Sequence, residues 1–257
     1  MKAIAWGLAL LLGGIAGAGA QTGPDPDRQA VEDVATGSRI LADLGVLDGF
    51  GHVSARSAKD PTRFLMSRSI APALVGPGDV MEFDRDGKPV DPQGRAVFLE
   101  RFIHAAIYRA RPDVMAVVHT HSANVIPFGV TKTGLVAMYH NAAFLAGGVP
   151  VFEIRDGFGE TDMLVRDNAI GDALARTLAD RPVALMRGHG DVTVGPSVVT
   201  AVFRAYYTDV SARMQIQAVG LGGPIQALTP AEGVKAEAVN AQIQGRAWEL
   251  WKTRIAR

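Results

Sequence analysis

The sequence predicts an α/β fold built as one continuous domain, and three observations carry that reading. Short apolar runs with strand alternation recur between longer segments of helical spacing. Glycine, proline and aspartate clusters mark the joints between them. No internal repeat and no low-complexity linker divides the chain, so strands and helices alternate over a single unit.

The elements follow in order. The chain opens MKAIAWGLALLLGGIAGAGAQTGPDPD: one lysine, an apolar run, then Ala18-Gly19-Ala20 before polar, Pro-rich sequence. That is the pattern of a secretory signal peptide over residues 1–20, implying a secreted or periplasmic protein with no membrane attachment after cleavage. The glycines in the run, the small-residue site and the abrupt polar boundary disfavour an uncleaved anchor. Residues 21–28 are expected to form a disordered lead, and 29–257 the single domain. That leaves roughly 237 residues, enough for a substantial core. From Arg28 to about Leu44, Val31, Val34, Ile40, Leu41 and Leu44 recur at helical spacing. GFGHVSAR and TRFLMS read as strands joined by the polar SAKDP, and DVMEFDRDGKPVD reads as a hairpin turning at Asp86-Gly87. VFLERFIHAAIYRAR is an amphipathic helix stopped by Arg111-Pro112. VMAVVHTH is a strand, and PVALMRGHGDVTVG is two strands broken at Gly188-His189-Gly190. A long helix begins near Pro196. TPAE at Thr229–Glu232 has the spacing of a capping box, predicting one last helix over 229–256.

Charge and composition exclude several classes of function. Lys+Arg and Asp+Glu balance at 26 each, and no basic run offers a polyanion such as nucleic acid an electrostatic foothold. There is no cysteine, hence no disulfide framework, no thiolate chemistry and no lipid-modified cysteine.

The six histidines, 52, 104, 119, 121, 140 and 189, carry the chemistry. His119 and His121, two apart on a strand, point the same way. His189 sits between two glycines, which allow close backbone approach. Three imidazoles around a metal leave an open position for a Lewis acid to use. The alternative is two half-buried histidines with backbone partners. Glu100 and His104, four apart, share a helical face among Phe102, Ile103, Ala106 and Ile107; the usual meaning of that spacing is a surface pair, but a carboxylate beside a cation is a candidate general base or ligand.

LERFIHAAIYRARPDVMAVVHTHS resembles the class II aldolase/adducin family. Glu100, His104, Tyr108 and Arg111-Pro112-Asp113 match its E-x-x-x-H-x-x-x-Y-x-x-R-P-D run, His119 and His121 its metal pair, and His189-Gly190 its later H-G turn. Gly51-His52-Val53-Ser54 stands where the family has G-N-[hydrophobic]-S, and the resemblance runs over about residues 30–220. It implies a three-layer α/β/α sandwich around a mixed, mostly antiparallel sheet. It also implies a homotetramer with active sites between subunits, and one divalent metal on His119, His121 and His189. That metal is expected to be Zn2+, with Mn2+, Fe2+ or Co2+ as alternatives.

The chain departs from the family's sugar-phosphate aldolases where those hold phosphate. The motif Asn is His52, the phosphate turn reads MSRSIAP with Ser67, Arg68 and Ser69, and a Ser-Ser pair is replaced by Phe98-Leu99. With phosphate donors lost, the expected substrate is a non-phosphorylated carboxylic acid, held by Arg68 through its planar fork and by His52, with Ser67 beside them. Members with GHVSAR and SRS-APALV, which this chain most resembles, include dihydroxyphthalate decarboxylases. By spacing, His140 or Tyr139 falls where the aldolases carry a proton-transferring tyrosine, making His140 a second catalytic candidate beside Glu100 and Tyr139 a substrate contact. The leading expectation is a metal-dependent carbon–carbon lyase, decarboxylase or retro-aldolase, working through a metal-stabilised enolate on a hydroxy or oxo acid. The alternatives are an oxygenase or epimerase at the same three histidines, and a non-catalytic adducin-like binding module.

Overall fold

The computed structural model describes residues 25–256; the signal-peptide reading of residues 1–20 lies outside them. Seven strands form one sheet: β1 (His52–Arg56), β2 (Phe64–Ser67), β3 (Val80–Phe83), β4 (Ala116–Thr120), β5 (Val151–Phe152), β6 (Val183–Met186) and β7 (Gly190–Gly195). Their order is β3-β2-β1-β4-β7-β6-β5, and every pairing is antiparallel except β5 with β6. The sheet is therefore mixed and mostly antiparallel, as expected.

Strand alternation feeds two cores, one on each face. Val53 and Ala55 of β1, Ala116 and Val118 of β4, and Val183 and Leu185 of β6 face one way. They pack under α1 (Arg28–Asp43), α6 (Val198–Leu221) and α8 (Gly245–Ile255). Val117, Ala184, Met186, Val192 and Val194 face the other way, against α2 (Arg101–Ala110) and α5 (Asn168–Leu178). Helices on both faces make the three layers. The short helices α3 (Ile126–Val130) and α4 (Arg155–Phe158) lie in the connections between β4 and α5. Among the described residues no helix is long and apolar enough to cross a membrane.

Several elements differ from the sequence expectation, each for a physical reason. The described part of the lead is held in place: Asp27 is buried and accepts hydrogen bonds from Ser57 Oγ (2.8 Å) and Ala58 N (2.6 Å), which fixes the entry to α1. The first strand starts at His52, because Gly51 turns with φ +86° and a side chain there would meet the His119 carbonyl at 2.8 Å. The hairpin after β3 turns at Asp84–Gly87 as expected, but its return arm makes only a bridge, Phe83 to Pro89. Proline has no N–H to extend the ladder.

Helix α2 begins at Arg101, so Glu100 is its N-cap and Val97–Leu99 are not helical. Helix α5, which the sequence reading passed over, has Ile170, Leu174 and Leu178 on one buried face and an Asp167 cap that accepts from Ile170 N at 2.9 Å. The last helix is two: α7 (Pro230–Ile243), started by the reciprocal Thr229–Glu232 capping box, and α8, joined at Gln244. The break lets Asn240 bond the His140 carbonyl while Trp248 and Trp251 turn into the core under α1 and α6.

Candidate metal centre and its cleft

Four side chains from three places in the chain meet where α2 begins beside β4 and β7. His119 comes from β4, His121 from the residue just past it, His189 from the turn between β6 and β7, and Glu100 from the cap of α2. Their ligating atoms all lie within 4.8 Å of one another. His121 Nε2 is 3.0 Å from His119 Nε2 and 3.0 Å from His189 Nε2. Glu100 Oε2 is 3.6 Å from His119 Nε2 and 3.3 Å from His189 Nε2.

The backbone sets which ring nitrogens face inward. His119 Nδ1 donates to the Asp191 carbonyl at 3.0 Å, and His189 Nδ1 donates to the Met163 carbonyl at 3.0 Å. With Nδ1 carrying one proton, the Nε2 of each ring is a lone pair while the ring is neutral, and a donor to the Glu100 carboxylate once the ring is charged. Two lone pairs then converge on a third nitrogen that can give a proton to only one of them, with a carboxylate alongside. Three imidazoles and one carboxylate with the outer nitrogens of two rings tied to carbonyls is the donor set a divalent cation takes. The cluster is a candidate divalent metal site, and the residues present fit the ion.

Electrostatics match. Burial would raise the Glu100 carboxyl, but hydrogen bonds to His119 and His189 hold it well below the usual carboxylate range. The Val165 N–H donates to its Oε1 at 3.0 Å and fixes its direction. His121 is pushed down to about 4 by burial and by its neighbours His119 and His189. For His189 burial pulls downward, and the Glu100 carboxylate outweighs it and raises the ring above its ordinary value.

A cleft of about 440 Å³ opens over the cluster. Glu100, His121 and His52 form part of its wall, with Phe50, Phe98, Leu99 and Leu164 supplying apolar surface and Ser69 a hydroxyl. His52 packs on Phe98 and His119, and behind it lies fully buried His104, pushed down to about 3 by burial and by His119. His104 thus turns to His52 rather than to the metal cluster.

Not every expected site residue reaches the cleft. Arg68 lies outside its wall, with Nε bonded to Asp79 Oδ1 at 2.7 Å: a half-exposed arginine took the nearest carboxylate. Ser67 is buried at the end of β2, and Ser69 lines the cleft instead. His140 is exposed on a turn away from the cleft, 3.2 Å from Asn141 Oδ1, and Tyr139 packs edge-on to Tyr207 in the core under α6. Conversely, sequence reasoning missed Met163, whose φ of +72° puts its carbonyl against His189, and Val165 behind Glu100. Both act through backbone atoms, which leave no signature in residue type. A larger groove of about 600 Å³, lined in part by Arg111, Arg181 and Arg204, contains none of the expected site residues.

A family model described as "Class II Aldolase and Adducin N-terminal domain" matches residues 32–216. The chain belongs to the class II aldolase/adducin family. It is similar to Decarboxylase tropJ of Talaromyces stipitatus, 35% identical over 84% of this chain and 90% of that protein. It is also similar to a 3,4-dihydroxyphthalate decarboxylase of a Terrabacter species, 34% identical over 82% of this chain and 88% of that one. Among solved structures, an aldolase II superfamily protein from Pseudomonas syringae superposes with a TM-score of 0.74 at 24% identity, over 91% and 94% of the two chains. This family member is an enzyme of the lyase type.

Proposed function

We propose that the chain is a divalent-metal-dependent decarboxylase of a non-phosphorylated hydroxyaromatic carboxylic acid. One observation carries this most: the convergent ring nitrogens of His119, His121 and His189 lie beside a cleft, reached through His121 and Glu100, whose apolar walls are Phe98, Leu99 and Leu164 rather than a set of phosphate donors. The printed activities of the two curated relatives support the same reaction class.

In this reading His119, His121 and His189 hold the ion, with Glu100 beside it. A bound cation would supply positive charge against the oxygen anion that builds up on the substrate. Phe50, Phe98 and Leu99 hold the ring and keep water from it, while His52 and Ser69 face the polar substituents. Glu100, a carboxylate in the resting site, takes the proton of a ring hydroxyl at Oε2 and delivers it to the ring carbon that bears the carboxylate. The bond between that carbon and the carboxylate then breaks, its electron pair returns to the ring, and CO2 leaves. A solvent proton restores the ring hydroxyl, so each turnover consumes one proton.

The ion of this reading is zinc. The first 20 residues act as a signal peptide that exports the protein, and the working form is a homotetramer. His140, exposed on its turn, serves catalysis only by entering the cleft of a neighbouring copy. The binding-module alternative has no support in a chain that keeps four ligating groups together.

The test is to purify the protein without added metal, measure its metal content, then load it with zinc or manganese. Release of CO2 from 3,4-dihydroxyphthalate and release of aldehyde from sugar phosphates are then followed in parallel. Turnover of the aromatic acid alone is expected. Cleavage of the phosphates, or full activity without metal, would sink the reading.

A further inference from the structure

A chain of four side chains runs inward from the cleft, and the mechanism above uses only its outer end. His52 Nδ1 lies 2.7 Å from His104 Nε2, His104 Nδ1 lies 2.5 Å from Ser54 Oγ, and Ser54 Oγ lies 2.8 Å from the Tyr108 hydroxyl. All four residues are buried, and His104 and Ser54 are completely so. His52 and Ser54 are two apart on β1 and so share a face of the sheet. His104 and Tyr108 are four apart on α2 and so share the stripe of that helix turned toward it.

Such a chain has two proton orders. In one, every hydrogen points from Tyr108 toward the cleft; in the other, every hydrogen points inward. Its inner end decides between them. Among the described residues the only acceptor within hydrogen-bond distance of the Tyr108 hydroxyl is Ser54 Oγ. A buried hydroxyl donates when it has one acceptor to donate to. Tyr108 therefore donates to Ser54, and Ser54, with a single hydrogen, donates to His104 Nδ1. His104 then carries its proton on Nε2 and donates to His52 Nδ1. His52 is left with its proton on Nε2, the one ring nitrogen of the chain without a protein partner among the described residues, on a residue that lines the cleft.

We infer that Tyr108, Ser54 and His104 are positioning residues that lock His52 as a hydrogen-bond donor to the cleft, so that this end of the site favours a charged acceptor, a substrate carboxylate, over the weaker acceptor that a hydroxyl offers. In the opposite proton order His52 would present a lone pair, which repels a carboxylate. The choice of carboxylate as ligand rests on the decarboxylase reading; the proton order does not. The assignment also gives the carboxylate-binding role expected of Arg68 to a neutral donor inside the cleft.

The experiment is ¹⁵N NMR of the full, zinc-loaded chain labelled at histidine, with His52 assigned through the His52→Gln variant. The wild type should show His52 protonated at Nε2 and bare at Nδ1. Tyr108→Phe removes the hydroxyl that sets the direction, and Ser54→Ala cuts the chain at its middle. Either should give a mixture of His52 tautomers with zinc content unchanged, and weaken calorimetric binding of 3,4-dihydroxyphthalate on the order of tenfold, about one lost hydrogen bond. If one variant fails to fold, the other and the wild-type spectrum still decide. Protonation of wild-type His52 at Nδ1 would overturn the inference, as would unchanged tautomer and affinity in both variants. If no form binds 3,4-dihydroxyphthalate while His52 stays Nε2-protonated and responds to Tyr108→Phe, the relay stands and the decarboxylase reading falls.

Discussion

Glu100 stands at the N-cap position of α2 but leaves the helix end uncapped and aims its carboxylate at three imidazole nitrogens instead. If it moves the proton while the histidines hold the ion, Glu100→Gln keeps the shape and loses the proton. We expect turnover to fall about 10²–10⁴-fold, with the metal content of the purified protein little changed; an active variant would remove Glu100 from the reaction. The meeting of His119, His121 and His189 was legible because the cluster is written in side chains: an H-x-H strand and a histidine between glycines. Met163 and Val165 were not legible, since they contribute a carbonyl and an N–H. Arg68 shows the opposite limit. Its residue type suits a carboxylate, but the sequence does not show that Asp79, eleven positions on, is folded back to take it.

Elements were legible where one face repeats. Helices α1 and α6 and strands β4, β6 and β7 follow from apolar spacing and turn residues. The α7–α8 break was not, because a helix pattern continues through Gln244 and only the need to serve two surfaces interrupts it. The β6–β7 turn shows how closely an element can depend on one residue. A side chain on Gly190 would run into the Thr120 carbonyl, and that strand edge lies between His189 and the Asp191 carbonyl that orients His119. Gly190→Ala must therefore part β4 from β7 beside the site. We expect a loss of about 1–3 kcal/mol or more of stability, read as a lower denaturant midpoint, together with weakened zinc retention. An alanine variant with both intact would mean that the strands have slack there.

At the scale of the whole molecule, two expectations concern what the single chain leaves open. The last turns of α6 expose Ile216, Val219 and Leu221, the last at 88%, in a protein with no disulfide to stiffen it. Such residues are costly to leave in water. Sedimentation at micromolar concentration should give about four times the mass of the processed chain, the 27.1 kDa chain less its first 20 residues; a stable monomer would refute the tetramer and with it any role for His140 in a neighbouring cleft. The second expectation is that the ion contributes to folding as well as to chemistry, because the cluster collects ligands from α2, β4 and the β6–β7 turn, which meet only in the native state. At a free zinc concentration of one hundred times Kd, binding adds about 2.7 kcal/mol, or roughly 5–10 °C in Tm for a domain of this size. Chelation should lower Tm by that amount and zinc should restore it. The stripped protein should also respond to acid. Burial pulls His121 from 6.5 down to about 4, so between those values the unfolded chain takes up a proton that the folded chain refuses. Stability is then present above pH 6.5 and lost as pH falls toward 4, and a zinc-loaded sample, whose liganding rings are held deprotonated, should lose at least as much over that window, because its folded state binds no more protons than the stripped one. Equal Tm values for loaded and stripped protein at neutral pH would show that zinc does not bind the folded chain in preference to the unfolded one, and would overturn the metal site.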